Sequence, residues 1–554
     1  MSIWSTIAYR VKEIIQKMIG ARTIEQSLHV APTISSQMEH AIELWSAMYK
    51  DESPWLKEPT FEDPSRVVSL GLPALIASEK ARTALLELSS EITVPTKEVE
   101  VENPDYKEPQ LNDFGVLVPT STPRTIIEEK PLSTEDRAKF LNEQYTKLKR
   151  QLRKQIEYGI AKGGLVIKPY VVIDKAIQNE EGEEETSTAR IEFDFIQADC
   201  FYPLAFDAAG RITEAAFLQT KTEKDIVYRR LEYHKWSGNT VRIVNKAYKS
   251  TSNQNTGDMM GIDLGQEIPL SEINEWKNLS DNTTIRNVNQ PLFAYFKMPE
   301  ANTVDTTSPL GVSGFSRAVD LIKDADMQYS RLLWEYEGGE LAIDIDRDAL
   351  AFKQDSQGNN HSVMGSLQQR LYRPIDLGES NTYQPYAPSL RDTNLIQGLN
   401  TILMRIEDVT GLSRGTLSDA ASEARTATEL KILKQRSYQT NADIQQAIED
   451  AIRDVIYVMD VYCDLYEITP DGDYDVNFEW DDSIIVDVDT ELGKRLTLLQ
   501  NGLCSKVEVR MWYFGETERQ AKEALQNIQE ESISDMEQEL DQQSVATSLQ
   551  NRGE

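Results

Sequence analysis

The chain predicts an α+β fold, with helical blocks and a mostly antiparallel block of strands in separate stretches of sequence. Three observations predict it. Between residues 165 and 247, β-rich runs alternate with tight turns such as Asp207–Gly210 and Ser237-Gly238. On both sides of that block, apolar residues recur at steps of three and four, the helical period. Between Gly415 and Pro470 there is neither Gly nor Pro. Nothing there breaks the backbone, and residues 423–466 are expected to form one helix of roughly 65 Å at 1.5 Å rise per residue.

The elements follow in order. Residues 1–95 read as helices: an amphipathic one at 1–20, then 33–50, then 73–91 with Pro73 in the favoured first turn. The first lacks the unbroken apolar run of a signal peptide and is expected to dock on the protein. Residues 94–133 are acidic and Pro-rich, an extended connection. A helix at 134–161 carries the basic run Lys147, Lys149, Arg150, Arg153 and Lys154. Its expected use is a solvated face pairing with the chain's own carboxylates. Gly163-Gly164 then introduces strands at 165–173, 191–206, 212–222, 226–236, 240–247 and 292–296. Acidic residues 179–188 make a hydrated tip, and 250–261 a loose insertion.

Helix returns at 308–339, with Ser313 as N-cap and Gly338-Gly339 at its end. Residues 341–386 form a small α/β insert, and Ile396, Leu399, Ile402, Leu403 and Ile406 mark a second helix at 390–410. The loop 411–422 leads into the long helix, whose second half bears the stripe Ile444, Ile448, Ile452, Ile456, Met459 and Cys463. Its first half is basic, with Arg425, Lys431, Lys434 and Arg436. A strand follows, with Tyr474, Val476, Phe478 and Trp480 alternating, then helices at 490–501, 506–514 and 517–530 and a polar tail.

Composition narrows the function. There are 91 acidic against 58 basic residues, a formal net charge of −33. A surface this acidic excludes a general phosphate-gripping protein, although it leaves room for a surface past which nucleic acid slides. Three scattered cysteines make a disulfide framework unsuitable, and four histidines make a His-based metal site improbable. No run of 18 apolar residues exists to span a bilayer. There is no GxxxxGK[ST], no GxGxxG after a strand, no CxxC and no HExxH. Asp471, Asp473 and Asp475 imitate a calcium loop, but its sixth position is Val476 and its twelfth Asp482. Asp344 and Asp346 would be the carboxylate pair of a hydrolase, the rival enzymatic reading. In so acidic a chain that pair carries little weight. A third reading is an acidic interaction scaffold. No metal, cofactor or catalytic residue is assigned.

Two stretches carry a resemblance: SPLGVSGFSRAVDLIKDADMQYSRLLWEYEGG at 308–339 and DVTGLSRGTLSDAASEARTATELKILKQRSYQTNADIQQAIEDAI at 408–452. In the second, a GLS-G-T loop runs into a TATE-type helix start. With the weaker IVYRRLEYHKW at 226–236, their order resembles siphovirus-type portal proteins of tailed bacteriophages, over most of residues 70–530. The resemblance implies a non-enzymatic subunit with an α/β wing (1–307), stem helices (308–340 and 389–410) around a clip (341–388), a tunnel loop (411–422), a long helix with a wing strand (423–489) and a helical crown with a tail (490–554).

It further implies a homo-oligomeric ring of twelve copies at one capsid vertex in the virion, assembled in the host cytoplasm. Double-stranded DNA would pass through it without sequence readout. The partners implied are the terminase large subunit, a head-tail adaptor, and the major capsid and scaffolding proteins; no membrane is involved. The resemblance places Ser413, Arg414, Thr416, Leu417, Ser418 and Asp419 in the DNA channel, with Gly411 and Gly415 as hinges of the loop. Small hydroxylated residues with one base and one acid suit weak contact with any sequence.

Overall fold

The computed structural model describes residues 23–30, 33–58, 66–86, 88–103, 106, 110–111, 117–118, 125–173, 189–224, 226–250, 263–346, 352–354, 360–362, 372–375, 383–419, 427–480, 488–516, 520–522 and 524–528. The terminal amphipathic helix at 1–20, the acidic tip at 179–188, nearly all of the insertion at 250–261 and the polar tail lie outside these. The chain divides into two compact units, residues 1–479 and 480–554.

Among the described residues of the first unit, three helices come first: α1 (Ile24–Leu28), α2 (Ser36–Tyr49) and α3 (Leu72–Leu85). The third ends earlier than its apolar pattern suggests. Residues 88–91 instead open strand β1 (Leu88–Thr93), which pairs with a late strand described below. The described parts of the acidic connection are extended, and much of them is also paired. Strands β2 (Thr96–Glu102) and β5 (Thr125–Pro131) form an antiparallel ladder, with β3 (Gln110–Leu111) and β4 (Leu117–Val118) a second, shorter one.

Helix α4 (Asp136–Lys162) is the core of this unit. Leu141, Tyr145, Leu148, Leu152, Ile156 and Ile160 fall at steps of three and four, and all are buried. Its first turn is anchored by Arg137, whose guanidinium donates to Asp460 Oδ1 and Asp464 Oδ1 at 2.6 Å each. It also donates to the carbonyls of Pro470 at 3.0 Å and Thr469 at 3.3 Å. Among the described residues, Lys147, Lys149 and Arg153 of the basic run have neutral partners. Lys149 donates to the Ser90 carbonyl and lies 5.0 Å from the Tyr145 ring, Lys147 donates to Gln144, and Arg153 reaches Ser78 Oγ.

Gly163, at φ 89°, closes α4 and turns the chain into β6 (Gly164–Ile173). β6 is flanked by β7 (Ala189–Gln197) and, later in the chain, β14 (Ala294–Lys297), both antiparallel. A 3₁₀ turn at Ala198–Cys200 interrupts the run that reads as one strand. The chain then enters a second sheet of β8 (Phe201–Phe206), β9 (Ile212–Glu223), β10 (Ile226–Ser237), β11 (Thr240–Ser250) and β12 (Gln266–Ile268), with β13 (Asn282–Arg286) also on β11. Lys168 of β6 crosses to Glu232 of β10 at 2.7 Å, and His234 and Arg230 close on the same carboxylate. Burial raises the Glu232 carboxyl, but the Lys168 charge, the His234 hydrogen bond and the Arg230 charge more than offset it and hold it well below the usual range. A buried charge this well compensated ties the two sheets in one register.

The segment after β14 crosses α4's end without side chains between. A Cβ on Gly311 would collide with the Gly163 carbonyl oxygen. That carbonyl accepts from Met298 N at 3.1 Å, and Gly314 N donates to the Ile160 carbonyl at 2.8 Å. Helix α5 (Val319–Gly338) follows a 3₁₀ turn at Ser316–Ala318, so Ser313 is not its N-cap; the Ser313 hydroxyl accepts from Phe315 N within the approach turn. Helix α6 (Asp392–Thr410) packs beside it. The insert between them holds β15 (Ala342–Asp346), parallel to β18 (Tyr372–Ile375) and antiparallel to β19 (Tyr383–Tyr386), and the pair β16 (Phe352–Gln354) and β17 (Asn360–Ser362). The long helix α7 (Ala427–Leu465) runs 39 residues, and its predicted stripe from Ile444 to Cys463 is buried throughout. The side chains of residues 427–436, its basic end, lie outside the described residues. Strand β20 (Asp475–Trp480) pairs with β1, with Val476 inward as the alternation predicts.

The second unit contains α8 (Val488–Gln500) and α9 (Lys506–Phe514), with residues 520–522 and 524–528 also helical. Ser505 and Glu508 form a capping box at the start of α9. Arg495 lies 4.4 Å from the Trp512 ring, joining the two helices.

Candidate functional site

The loop that follows α6 is shaped by local chemistry at every residue from 411 to 419. α6 ends because Gly411 takes the left-handed conformation at φ 76°, its N–H returning to the Glu407 carbonyl. A side chain there would meet Thr440 of α7, whose hydroxyl oxygen would lie only 2.5 Å from the added Cβ. The Leu412 N–H shares the Glu407 carbonyl at 3.1 Å, and the Leu412 side chain is buried. Ser413 to Thr416 then makes a tight turn: the Thr416 N–H and hydroxyl both donate to the Ser413 carbonyl, at 3.2 and 2.6 Å. Gly415 sits at φ 86°, again a conformation that favours glycine.

Two acids at the end of α6 hold this turn. Asp408 receives a fork of two bonds from Arg414, at 3.1 and 2.8 Å. The pairing holds the guanidinium still more firmly in its charged form. Glu407 is fully buried, and it accepts from Leu417 N at 2.6 Å, Ser418 N at 2.9 Å and Ser418 Oγ at 2.8 Å. The Ser418 hydroxyl in turn accepts from Gly415 N at 3.2 Å. Asn400 Oδ1, two turns back on α6, accepts from Asp419 N at 2.8 Å.

The six residues assigned to the loop surface therefore differ in presentation. Arg414, Thr416 and Asp419 are exposed, as is Gly415. Ser413 and Leu417 are half-buried, Leu417 against the main core, and Ser418 is turned inward. Residues 420–422 lie outside the described residues. Sequence reasoning missed Glu407, Asp408 and Asn400. A signal existed for Glu407: it stands four residues after Leu403 and eight after Leu399, on the apolar stripe itself.

The two helices that flank the insert, α5 and α6, are joined where the chain leaves and re-enters them. Glu335 of α5 accepts from Arg391 N, Nε and Nη2 at 3.0, 3.2 and 2.7 Å, where the chain returns from the insert. Among the described residues no helix is long and apolar enough to cross a membrane.

The helix–insert–helix–loop–long helix order is matched by a family model, described as phage portal protein, SPP1 Gp6-like, over residues 133–538. That span is well over half of the chain. The chain belongs to the phage portal protein family. The match begins just before α4 and contains both helices, the insert, the loop and α7. No curated protein matches the chain. Portal proteins of this family are structural rather than enzymatic, and membership implies oligomeric assembly in the phage head. The Asp344 and Asp346 pair accordingly belongs to a strand of the insert, β15, with no catalytic part assigned to it.

Proposed function

We propose that this portal protein acts as a ring of twelve copies at one capsid vertex, through which double-stranded DNA enters and leaves the head. In this reading α5 and α6 form the stem and residues 341–388 the clip. The terminase large subunit docks on the clip during packaging, and a head-tail adaptor replaces it afterwards. Scaffolding and major capsid proteins surround the ring during assembly. The loop at 411–422 lines the channel, with Gly411 and Gly415 at its bends, and residues 490–554 supply the crown.

The observation that carries the reading is the chemistry of the loop's exposed side. Its one guanidinium is already bound by Asp408, and among the described residues 411–419 its other exposed side chains are a hydroxyl and a carboxylate. Such a surface offers phosphates no uncompensated cation. In a chain of net charge −33, a duplex meets little that would hold it in place. Free passage of any sequence calls for that property.

Native mass measurement of the purified protein is expected to give a particle of about 0.75 MDa, twelve times 62.9 kDa. A monomer at all concentrations would refute the ring. Replacing Arg414 and Leu417 is expected to impair DNA packaging while leaving rings intact, and normal packaging would remove them from the channel wall.

A further inference from the structure

Glu407 is the most unusual group near the loop. A carboxylate with no exposed surface is costly unless its lone pairs are filled. Here three donors converge on it, two of them successive backbone N–H groups. Backbone amides aimed at one carboxylate make a compact anion cradle, here turned inward on a side chain of the same protein. The cradle joins the descending limb of the loop to the last turn of α6, while the Glu407 main-chain carbonyl holds the ascending limb through Gly411 and Leu412. One residue thus binds both limbs. The tip between them, residues 413–416, is closed by its own bonds and by Gly415 N to Ser418 Oγ.

We propose that Glu407 is the positioning residue of the channel loop, clamping the Leu417–Ser418 peptide to α6 so that helix and tip move as one body. The inference rests on the channel reading above. In this arrangement the loop does not flex independently at Gly411 and Gly415 while the clamp is closed. The distance between the tip and a passing duplex is set by the position of α6. Displacing the tip alone requires the three bonds to Glu407 and the Arg414–Asp408 fork to open.

Glu407→Gln and Glu407→Met separate the clamp from mere bulk. Gln retains an oxygen for the two N–H groups and an amide that can donate to the Ser418 hydroxyl. Met fills the space and accepts almost nothing. Deuterium uptake by the peptide covering residues 412–419 in intact rings is expected to be at least about tenfold faster in Glu407→Met than in the parent, and near parental in Glu407→Gln. Packaging per ring is expected to fall in Glu407→Met and to be rescued in Glu407→Gln. Should Glu407→Met fail to assemble, Ser418→Ala removes one donor to Glu407 and the acceptor of Gly415, with the same expected direction. Unchanged uptake in these variants would overturn the clamp. Faster uptake with unchanged packaging would overturn its positioning role. Failure of the channel reading itself is read separately from Thr416→Trp, whose bulky tip should obstruct packaging with Glu407 intact; normal packaging by that variant would sink the channel assignment and leave the clamp's uptake result standing.

Discussion

Arg137 holds α4 to the far end of α7 and to the turn beyond it, and its side chain is 1% exposed. Removing it takes a partner from Asp460, a partly buried carboxylate, and from three carbonyls. Arg137→Met is expected to cost about 3 kcal/mol or more, measured by urea unfolding of the unassembled protein. Asp454, also on α7, works in the opposite sense. Burial, with Asp450 nearby, pushes its carboxyl up to about 6. The folded state thus binds its proton more tightly than the unfolded chain does. Its contribution is fully present below about pH 4 and is lost as pH rises through 6. Asp454→Asn is therefore expected to leave stability unchanged at pH 4 and to raise it by about 1–2 kcal/mol at pH 7.5, seen in melting temperature across pH. Residue contacts of this kind are the least legible in a sequence. Arg137 reads as one more surface base, because its partners lie more than 320 positions away.

Elements with a buried stripe were legible, because burial and helical period leave the same mark. α5, α6 and the second half of α7 lie where their apolar residues put them, to within a few positions, the start of α5 excepted. α4 shows how much such a stripe carries: Ile156→Ala, at a site with no exposure, is expected to cost about 2–5 kcal/mol in the same unfolding assay. Illegible elements were those whose stabilising partner is distant or whose composition misleads. Residues 88–91 continue a helical pattern, yet they pair with β20 nearly 400 residues later. The ladder of β2 and β5 sets Glu98 opposite Glu129 and Val99 opposite Glu128, a composition that reads as an open linker. The candidate loop was legible in position from its glycines, but its supports were not. An acid on an apolar stripe signals a buried partner without saying which backbone groups supply it.

At the scale of the whole molecule, the uncovered surface of α5 points to a neighbour. Trp334 is 66% exposed and Tyr336 41%, although both belong to a helix whose opposite face is packed. Trp334 borders a groove of about 1210 Å³ between α5 and residues 54–58 and 66–68, with Trp55, Val67, Met327 and Leu333 in its lining. Among the described lining residues, Lys57, Arg66, Lys323 and Arg331 outnumber Glu58 and Glu337, with Arg66 3.8 Å from Glu337. A basic rim on a chain of net charge −33 complements a second copy of that chain. Trp334→Glu is expected to shift the native mass from ring to monomer, with far-UV circular dichroism unchanged. A full ring in that variant would exclude the groove as a subunit contact.

The meeting of Gly163 and Gly311 bears on how such an assembly would carry load. Side chains elsewhere can change rotamer and absorb displacement, like springs. At this joint peptide presses directly on peptide, so a push along the approach to α5 reaches α4 undamped. The segment entering α5 should behave as a stiff strut, and under tension in a single-molecule experiment it should yield abruptly at a threshold force instead of stretching by degrees.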